Sequence, residues 1–174
     1  MQTIFILVIS LVILQRLTEL IISKRNEKWL LENGAIEFGA SHYKYIVMLH
    51  TFFFLSIIFE YIYRYSYKNS MPAEFNTFNI LFLVFFVILQ IGRVWVLTSL
   101  GKYWNTKIFR IVGVQLVNQG PYKYFKHPNY IIVCLEILFL PLVFNLYYTA
   151  VLFTLLNAAM LSVRIKEESR ALEI

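Results

Sequence analysis

The chain has 174 residues, 59% of them hydrophobic, 18% aromatic and only 15% charged. A soluble domain carries about 25% charged residues, so the polar surface that would coat a water-soluble fold is missing, and the apolar residues gather into runs close to the roughly 20 needed to cross a hydrocarbon core. The net charge of +6 would suggest nucleic acid for a soluble protein; in a multispanning chain it reads instead as basic loops held against membrane lipids at the inner leaflet, with no nucleic-acid partner.

In chain order, a first span is predicted from Ile4 to Ile22. No basic residue precedes it, no small-x-small site follows it, and Arg16 and Glu19 sit in its last turns, so it reads as a retained span and not as a signal peptide. A polar loop continues to Ser41, and a second span covers Tyr45 to Tyr63. A short loop with Asn69, Ser70 and Pro72 leads to a third span, Phe78 to Leu97, followed by the longest polar stretch, Gly101 to Lys126. From Tyr130 to Val163 the chain is apolar for 34 residues. One helix of that length would measure about 51 Å against a hydrocarbon core of roughly 30 Å, and Pro141 with Asn145 near its middle predicts two antiparallel helices. The fold class is therefore an all-α integral membrane protein with five transmembrane segments, the last two a helical hairpin. It forms a single domain over 1–174, with three spans in 1–100 and the chemistry-bearing residues in 101–174. The single cysteine, Cys134, lies in an apolar run and permits no internal disulfide.

The basic residues orient this layout. Lys24, Arg25, Lys28 and Lys44 fall in the first loop, Lys102, Lys107, Arg110, Lys123 and Lys126 in the third, and Arg164, Lys166 and Arg170 in the tail, against only Arg64 and Lys68 on the other side. The asymmetry predicts an outside N-terminus and a cytoplasmic C-terminus, with the Gly101–Lys126 loop and the tail on the same cytoplasmic face.

Three groups of residues invite chemistry. Gly120-Pro121 marks a turn, Val114 to Val117 reads as a short extended segment, and Pro128 sets the start of the fourth span while keeping His127 out of helical geometry. A histidine and several tyrosines are thereby held at a helix N-terminus with spare backbone donors, a place suited to the carboxylate or hydroxyls of a polar cofactor; the same aromatic and basic residues also read as plain interface anchors. In the tail, Arg164 and Glu168 are i, i+4 neighbours on one helical face, either as a weak ion pair at a solvated helix end or as partners of a substrate and a cofactor. Arg16, Glu19, His50, Glu60, Arg93 and Glu136 fall in or near spans, where a charge costs about 2.5–3.5 kcal/mol, so they are expected to face inward and pair, Arg16 with Glu19 and Glu136 with an unassigned partner. No metal-ligand spacing and no phosphate-binding glycine loop is present in the sequence.

Gly120-Pro121-Tyr122-x4-His127-Pro128-x-Tyr130, followed 34 residues after Tyr130 by Arg164-x3-Glu168-x3-Leu172, resembles the isoprenylcysteine carboxyl methyltransferase family over residues 101–172. Ser23-x-Arg25-Asn26-Glu27, Gly34-Ala35-x-Glu37-x-Gly39 and His42-Tyr43 are similar to a bacterial branch of that family associated with type III polyketide synthases, whose members O-methylate long-chain alkylpyrones. The resemblance implies an S-adenosylmethionine-dependent O-methyltransferase in a bacterial cell membrane, acting at the cytoplasmic face on a lipophilic substrate from the bilayer, with a type III polyketide synthase as pathway partner. It implies that Val114, Gln115, Leu116 and Val117 hold the cofactor through backbone, that Tyr122, His127, Pro128, Asn129 and Tyr130 line its pocket, and that Glu168 binds it directly. It makes Arg164 the substrate contact and the catalytic residue. Ser169 stands where the family usually has a second acidic residue, and the chain stops at Ile174 without the aromatic-rich tail of eukaryotic members. Both features move the expected acceptor from a prenylcysteine carboxylate towards an enol or phenol. Two other readings compete: an NADPH-dependent sterol-reductase-like enzyme, which needs more basic residues around its cofactor than Lys123 and Lys126, and a non-catalytic transport or assembly protein, which the absence of a repeat disfavours.

Overall fold

In a computed structural model, which describes residues 2–67 and 75–172, the chain is a bundle of helices with one small β-ribbon at one end. α1 spans Gln2–Glu32, β1 Ile36–Phe38, and α2 Ala40–Ile62, which continues as a π-helical turn, Tyr63–Tyr67. α3 spans Thr77–Leu100, β2 Ile108–Arg110, α4 Pro128–Leu142 and α5 Tyr147–Leu172, with 3₁₀ turns at Gly101–Tyr103 and Gly120–Lys123. Lys68, Asn69, Ser70 and Pro72 of the expected second loop lie outside the described residues.

Four of these helices, α1, α2, α3 and α5, are long and apolar enough to cross a membrane; α4, with 15 residues, is shorter. At 1.5 Å per residue α4 reaches about 22 Å, less than the hydrocarbon thickness. The chain is thus a multi-pass membrane protein with four or five membrane helices. Large apolar side chains such as Leu7, Leu11, Leu14, Phe78, Ile88 and Ile91 point outward. A bilayer solvates such a surface, and water would not. The helices meet in an aromatic core: Phe5 of α1 stacks on Tyr61 of α2 at 3.6 Å between ring centres and meets Phe144, beyond α4, edge-on at 5.0 Å. α4 and α5 pack on each other, the break between them falling at 143–146 with Asn145 in the left-handed conformation (φ 58°).

Two features differ from the sequence reading. α1 does not end at Ile22 but runs ten residues further, through Ser23–Glu32, because an apolar run measures the bilayer and not the helix, and this polar stretch contains good helix formers until Gly34. There the helix closes with the Ala35 amide donating to the Leu30 carbonyl (3.0 Å) and Gly34 at φ 77°, the geometry of a glycine C-terminal cap. The fold is also not purely α: β1 pairs antiparallel with β2, Glu37 opposite Phe109, so the first loop is laced to the third. The pairing joins residues about 70 positions apart, and strands of three residues carry no periodicity that a sequence would reveal.

Polar pins hold the apolar bundle. Glu136 of α4 accepts from Arg16 of α1 (2.6 Å) and from the Nε of Arg93 of α3 (2.7 Å), and Arg93 reaches it again through Nη2. Arg16 also pairs with Glu19 at 2.8 Å, and Arg93 with Glu19 at 3.2 Å. Two arginines and two glutamates thus neutralise one another across three helices, and Gln90 donates to Glu136 at 2.8 Å. Glu60 of α2 accepts from the backbone amides of Tyr148 (3.3 Å) and Thr149 (2.7 Å), capping α5 from another helix where the local sequence offers no cap.

Candidate active site

A cavity of about 620 Å³ opens at the end of the bundle that carries the ribbon, between the 101–130 loop, the close of α1 at Leu30 and the last turns of α5. The volume lies in the range of pockets for small organic ligands. Val114, Gln115, Leu116 and Val117 form part of its wall as irregular backbone with no ladder partner; the expected extended segment is real only as a coil, and the strand lies earlier, at Ile108–Arg110. Tyr122, His127, Asn129 and Tyr130 line the cavity from the approach to α4, and Arg164 and Glu168 from α5. Pro128 does not line it; it is buried at the first position of α4, where its missing amide costs nothing and its ring starts the helix.

The two α5 residues do not pair with each other as their spacing suggested. The hydroxyl of Tyr130 sits between them: it donates to Glu168 Oε2 at 2.6 Å and accepts from Arg164 Nε at 2.9 Å. His127 Nδ1 lies 3.2 Å from the same glutamate oxygen, and its ring stacks on Tyr130 with centres 5.3 Å apart. Arg164 donates through Nη2 to the Thr106 carbonyl at 2.7 Å and has no carboxylate partner among the described residues. Its charge is therefore uncompensated beside the cavity, while Glu168 is committed to Tyr130 and His127. Burial, and secondarily the charge of Glu168, raise the Tyr122 phenol above its ordinary value, so Tyr122 stays protonated at neutral pH.

Several lining residues escaped the sequence reading. Trp104 is only 3% exposed and its indole Nε1 has no partner; Arg110 Nε and Asn129 Oδ1 are likewise buried and unpaired. Arg110 Nη1 donates to the Val114 carbonyl at 2.7 Å, pinning the start of the 114–117 wall. Lys107 is held by Glu27 at 2.7 Å and Glu37 at 3.5 Å, and the Glu27 hydrogen bond, outweighing partial burial, raises its pKa. Arg110 and Lys107 look in sequence like ordinary inner-leaflet charges, and only the ribbon turns them towards the cavity. Lys126, read as an anchor, also borders it. Among the described residues no group of three or more His, Cys, Asp or Glu is placed to hold a metal ion.

A model of the isoprenylcysteine carboxyl methyltransferase (ICMT) family matches residues 81–174, more than half of the chain. The chain belongs to the ICMT family. The match runs from within α3 to the end of α5 and contains every cavity residue named above except Leu30. The chain is similar to the uncharacterized protein YpbQ of Bacillus subtilis, at 47% identity over 97% of this chain and 96% of that protein. It is also similar to an uncharacterized protein of Haemophilus influenzae, at 28% identity over 90% and 88%. No solved structure matches it. Membership of the ICMT family makes the protein a membrane methyltransferase.

The cavity suits the methyl donor such an enzyme needs. It combines the apolar side chains of Val114, Leu116 and Val117 with the carboxylate of Glu168, and its lining residues Trp104, Arg110 and Asn129 each carry a buried polar atom without a partner. Buried polar atoms without partners are rare in folded proteins, and three of the five among the described residues belong to residues around this cavity.

Proposed function

We propose that this protein is an S-adenosylmethionine-dependent O-methyltransferase whose acceptor is a lipophilic, acidic hydroxyl compound of the alkylpyrone type, or a carboxylate such as that of prenylcysteine. The observation that carries this reading is the Arg164–Tyr130–Glu168 chain across the cavity of an ICMT-family protein. When bound, S-adenosylmethionine supplies a methyl group on a positively charged sulfur, which an anionic oxygen displaces.

The protein's part is alignment and charge placement. Glu168 is oriented by Tyr130 and His127 to receive a hydroxyl or amine of the cofactor. Val114 to Val117 and Asn129 hold the rest of it. Arg164, fixed by Tyr130 and by the Thr106 carbonyl, keeps guanidinium donors for the acceptor oxygen and stabilises it as the anion. Among the described residues Glu168 is the carboxylate nearest Arg164, and it already accepts from Tyr130 and lies 3.2 Å from His127 Nδ1, so it is poorly placed to serve as a strong base. The acceptor must therefore be acidic enough to lose its proton to solvent first, which suits an enol, a phenol or a carboxylate and disfavours an aliphatic alcohol. The cavity end faces the cytoplasm in this reading, where the positive-inside asymmetry puts the basic loops. A type III polyketide synthase would supply an alkylpyrone acceptor.

The reading is tested by thermal shift of the detergent-purified protein with S-adenosylhomocysteine, followed by methyl transfer from S-adenosylmethionine to a long-chain alkylpyrone. A rise in melting temperature that Glu168→Gln abolishes is expected. No response at millimolar concentration would remove the proposal. Lys107 and Arg110 beside the cavity, added to Lys126, favour a second reading, an NADPH-dependent sterol-reductase-like enzyme. Lys107 is already neutralised by two glutamates, so the phosphate-binding charge is smaller than the count suggests. A shift with NADPH and none with S-adenosylhomocysteine would reverse the order.

A further inference from the structure

The site as described draws on the chain beyond Leu100 and leaves the polar residues of the first half, Ser23, Asn26 and Tyr43, without a task. All three converge on the start of the cavity loop. Asn26, 8% exposed, donates to the carbonyls of Gly101 (3.1 Å) and Trp104 (2.7 Å). Ser23, 3% exposed, donates to Asn105 Oδ1 at 3.0 Å and accepts from the Thr106 amide at 3.0 Å. With its single proton spent on Asn105, Ser23 can only accept from the Thr106 hydroxyl, 2.8 Å away, and Thr106 Oγ1 in turn accepts from the Tyr43 hydroxyl at 3.1 Å.

Thr106 is therefore a junction of three helices. Its amide and hydroxyl bind α1 through Ser23, its hydroxyl binds α2 through Tyr43, and its carbonyl receives Arg164 of α5. Arg164 also borders a second, small space of about 10 Å³ beside Gly39, His42, Tyr43 and Lys107. That is room for about one water, so little free space lies beside the guanidinium on that side. We propose that Thr106 is a positioning residue: anchored by Ser23 and Tyr43, it fixes the Arg164 guanidinium where the acceptor oxygen must lie. The inference rests on the methyltransferase reading for its catalytic consequence but not for its geometry.

Thr106→Val removes the hydroxyl at nearly constant shape and keeps the backbone groups, whereas Thr106→Ser restores the hydroxyl. Two measurements on the full-length protein in detergent decide the matter. In ¹⁵N spectra of the arginine side chains, the Arg164 Nε signal, assigned by its loss in Arg164→Lys, should move or broaden in Thr106→Val and keep its wild-type position in Thr106→Ser. In methyl transfer to a long-chain alkylpyrone, kcat should fall on the order of 10- to 100-fold in Thr106→Val and recover in Thr106→Ser, with S-adenosylhomocysteine affinity unchanged within about twofold. An unmoved Arg164 signal in Thr106→Val overturns the proposal, and so does equal loss in the Val and Ser variants or a parallel loss of S-adenosylhomocysteine affinity. Should Thr106→Val fail to fold, Tyr43→Phe removes the donor from the other end of the same bond and must shift the same signal; if it does not, the proposal fails. A wild-type protein that binds no S-adenosylhomocysteine and transfers no methyl group defeats the functional reading instead, while the Arg164 signal still decides the geometry.

Discussion

The bundle interior and the cavity at its end use the same residue types to opposite effect. In the interior, Arg16, Arg93, Glu19 and Glu136 form a closed set in which every charge meets its counterpart. At the cavity, Glu168 is engaged by Tyr130 and His127, while Arg164 meets the Tyr130 hydroxyl and ring and a backbone carbonyl, with no carboxylate partner among the described residues. A charge in an apolar medium that lacks a partner is costly, so the closed set reads as a fastening between helices. Arg164 instead borders the open cavity, where a ligand anion can complete it. The difference separates a charge kept for the fold from a charge kept for a substrate.

The comparison can be broken at either end. The largest effect is expected from Glu136→Ala, which leaves Arg16 and Arg93 without their shared acceptor; a loss of about 3–5 kcal/mol should appear as a collapse of the detergent-solubilised melting temperature. Arg164→Ala, by contrast, should leave the fold and S-adenosylhomocysteine binding intact and lower methyl transfer by about 10²–10³-fold, the scale for removing one preorganised charge-stabilising donor. A loss of cofactor binding in that variant would show that Arg164 belongs to the cofactor and not to the acceptor.

Smaller effects sharpen the contrast. Glu60→Gln weakens the cap that α2 provides for α5 and should cost about 0.5–2 kcal/mol in thermal stability with no change in methyl transfer measured well below the melting point. The smallest concerns Lys107, whose folded-state pKa is raised by Glu27 and Glu37 above the ordinary 10.5. Its contribution is therefore full below that value and fades as the pH rises past it, because the unfolded chain loses the proton first. The melting-temperature difference between wild type and Lys107→Met, worth no more than about 1 kcal/mol for a partly exposed pair, should hold steady up to about pH 10 and shrink as the pH rises beyond it. A difference that grows over this interval would contradict the assignment.

Much of this could be read before any coordinates. The helices follow from uninterrupted apolar runs, the break after α4 from Pro141 and Asn145, and the meeting of the loop with the tail from the one-sided basic residues. Ten of the eleven residues singled out for the site surround one cavity, the exception being Pro128, whose contribution is to start α4. The reading failed where long-range contacts decide. Nothing local links Glu37 to Phe109, or Ser23 to Thr106, so the ribbon and the continuation of α1 were missed, and with them Trp104, Lys107 and Arg110 as cavity residues. The Arg164–Glu168 spacing was legible, but the tyrosine from α4 that occupies the place between them was not.

By itself, then, the amino-acid sequence determined that this is a membrane bundle with a polar, tyrosine- and histidine-bearing loop near an arginine and a glutamate on its last helix, because hydropathy, proline and helical spacing act over neighbouring residues. Only the tertiary structure decided which charges are closed and which are open. Charge compensation depends on which side chains from distant helices lie within about 3 Å of one another, and the packing of α1, α3, α4 and α5 alone sets that.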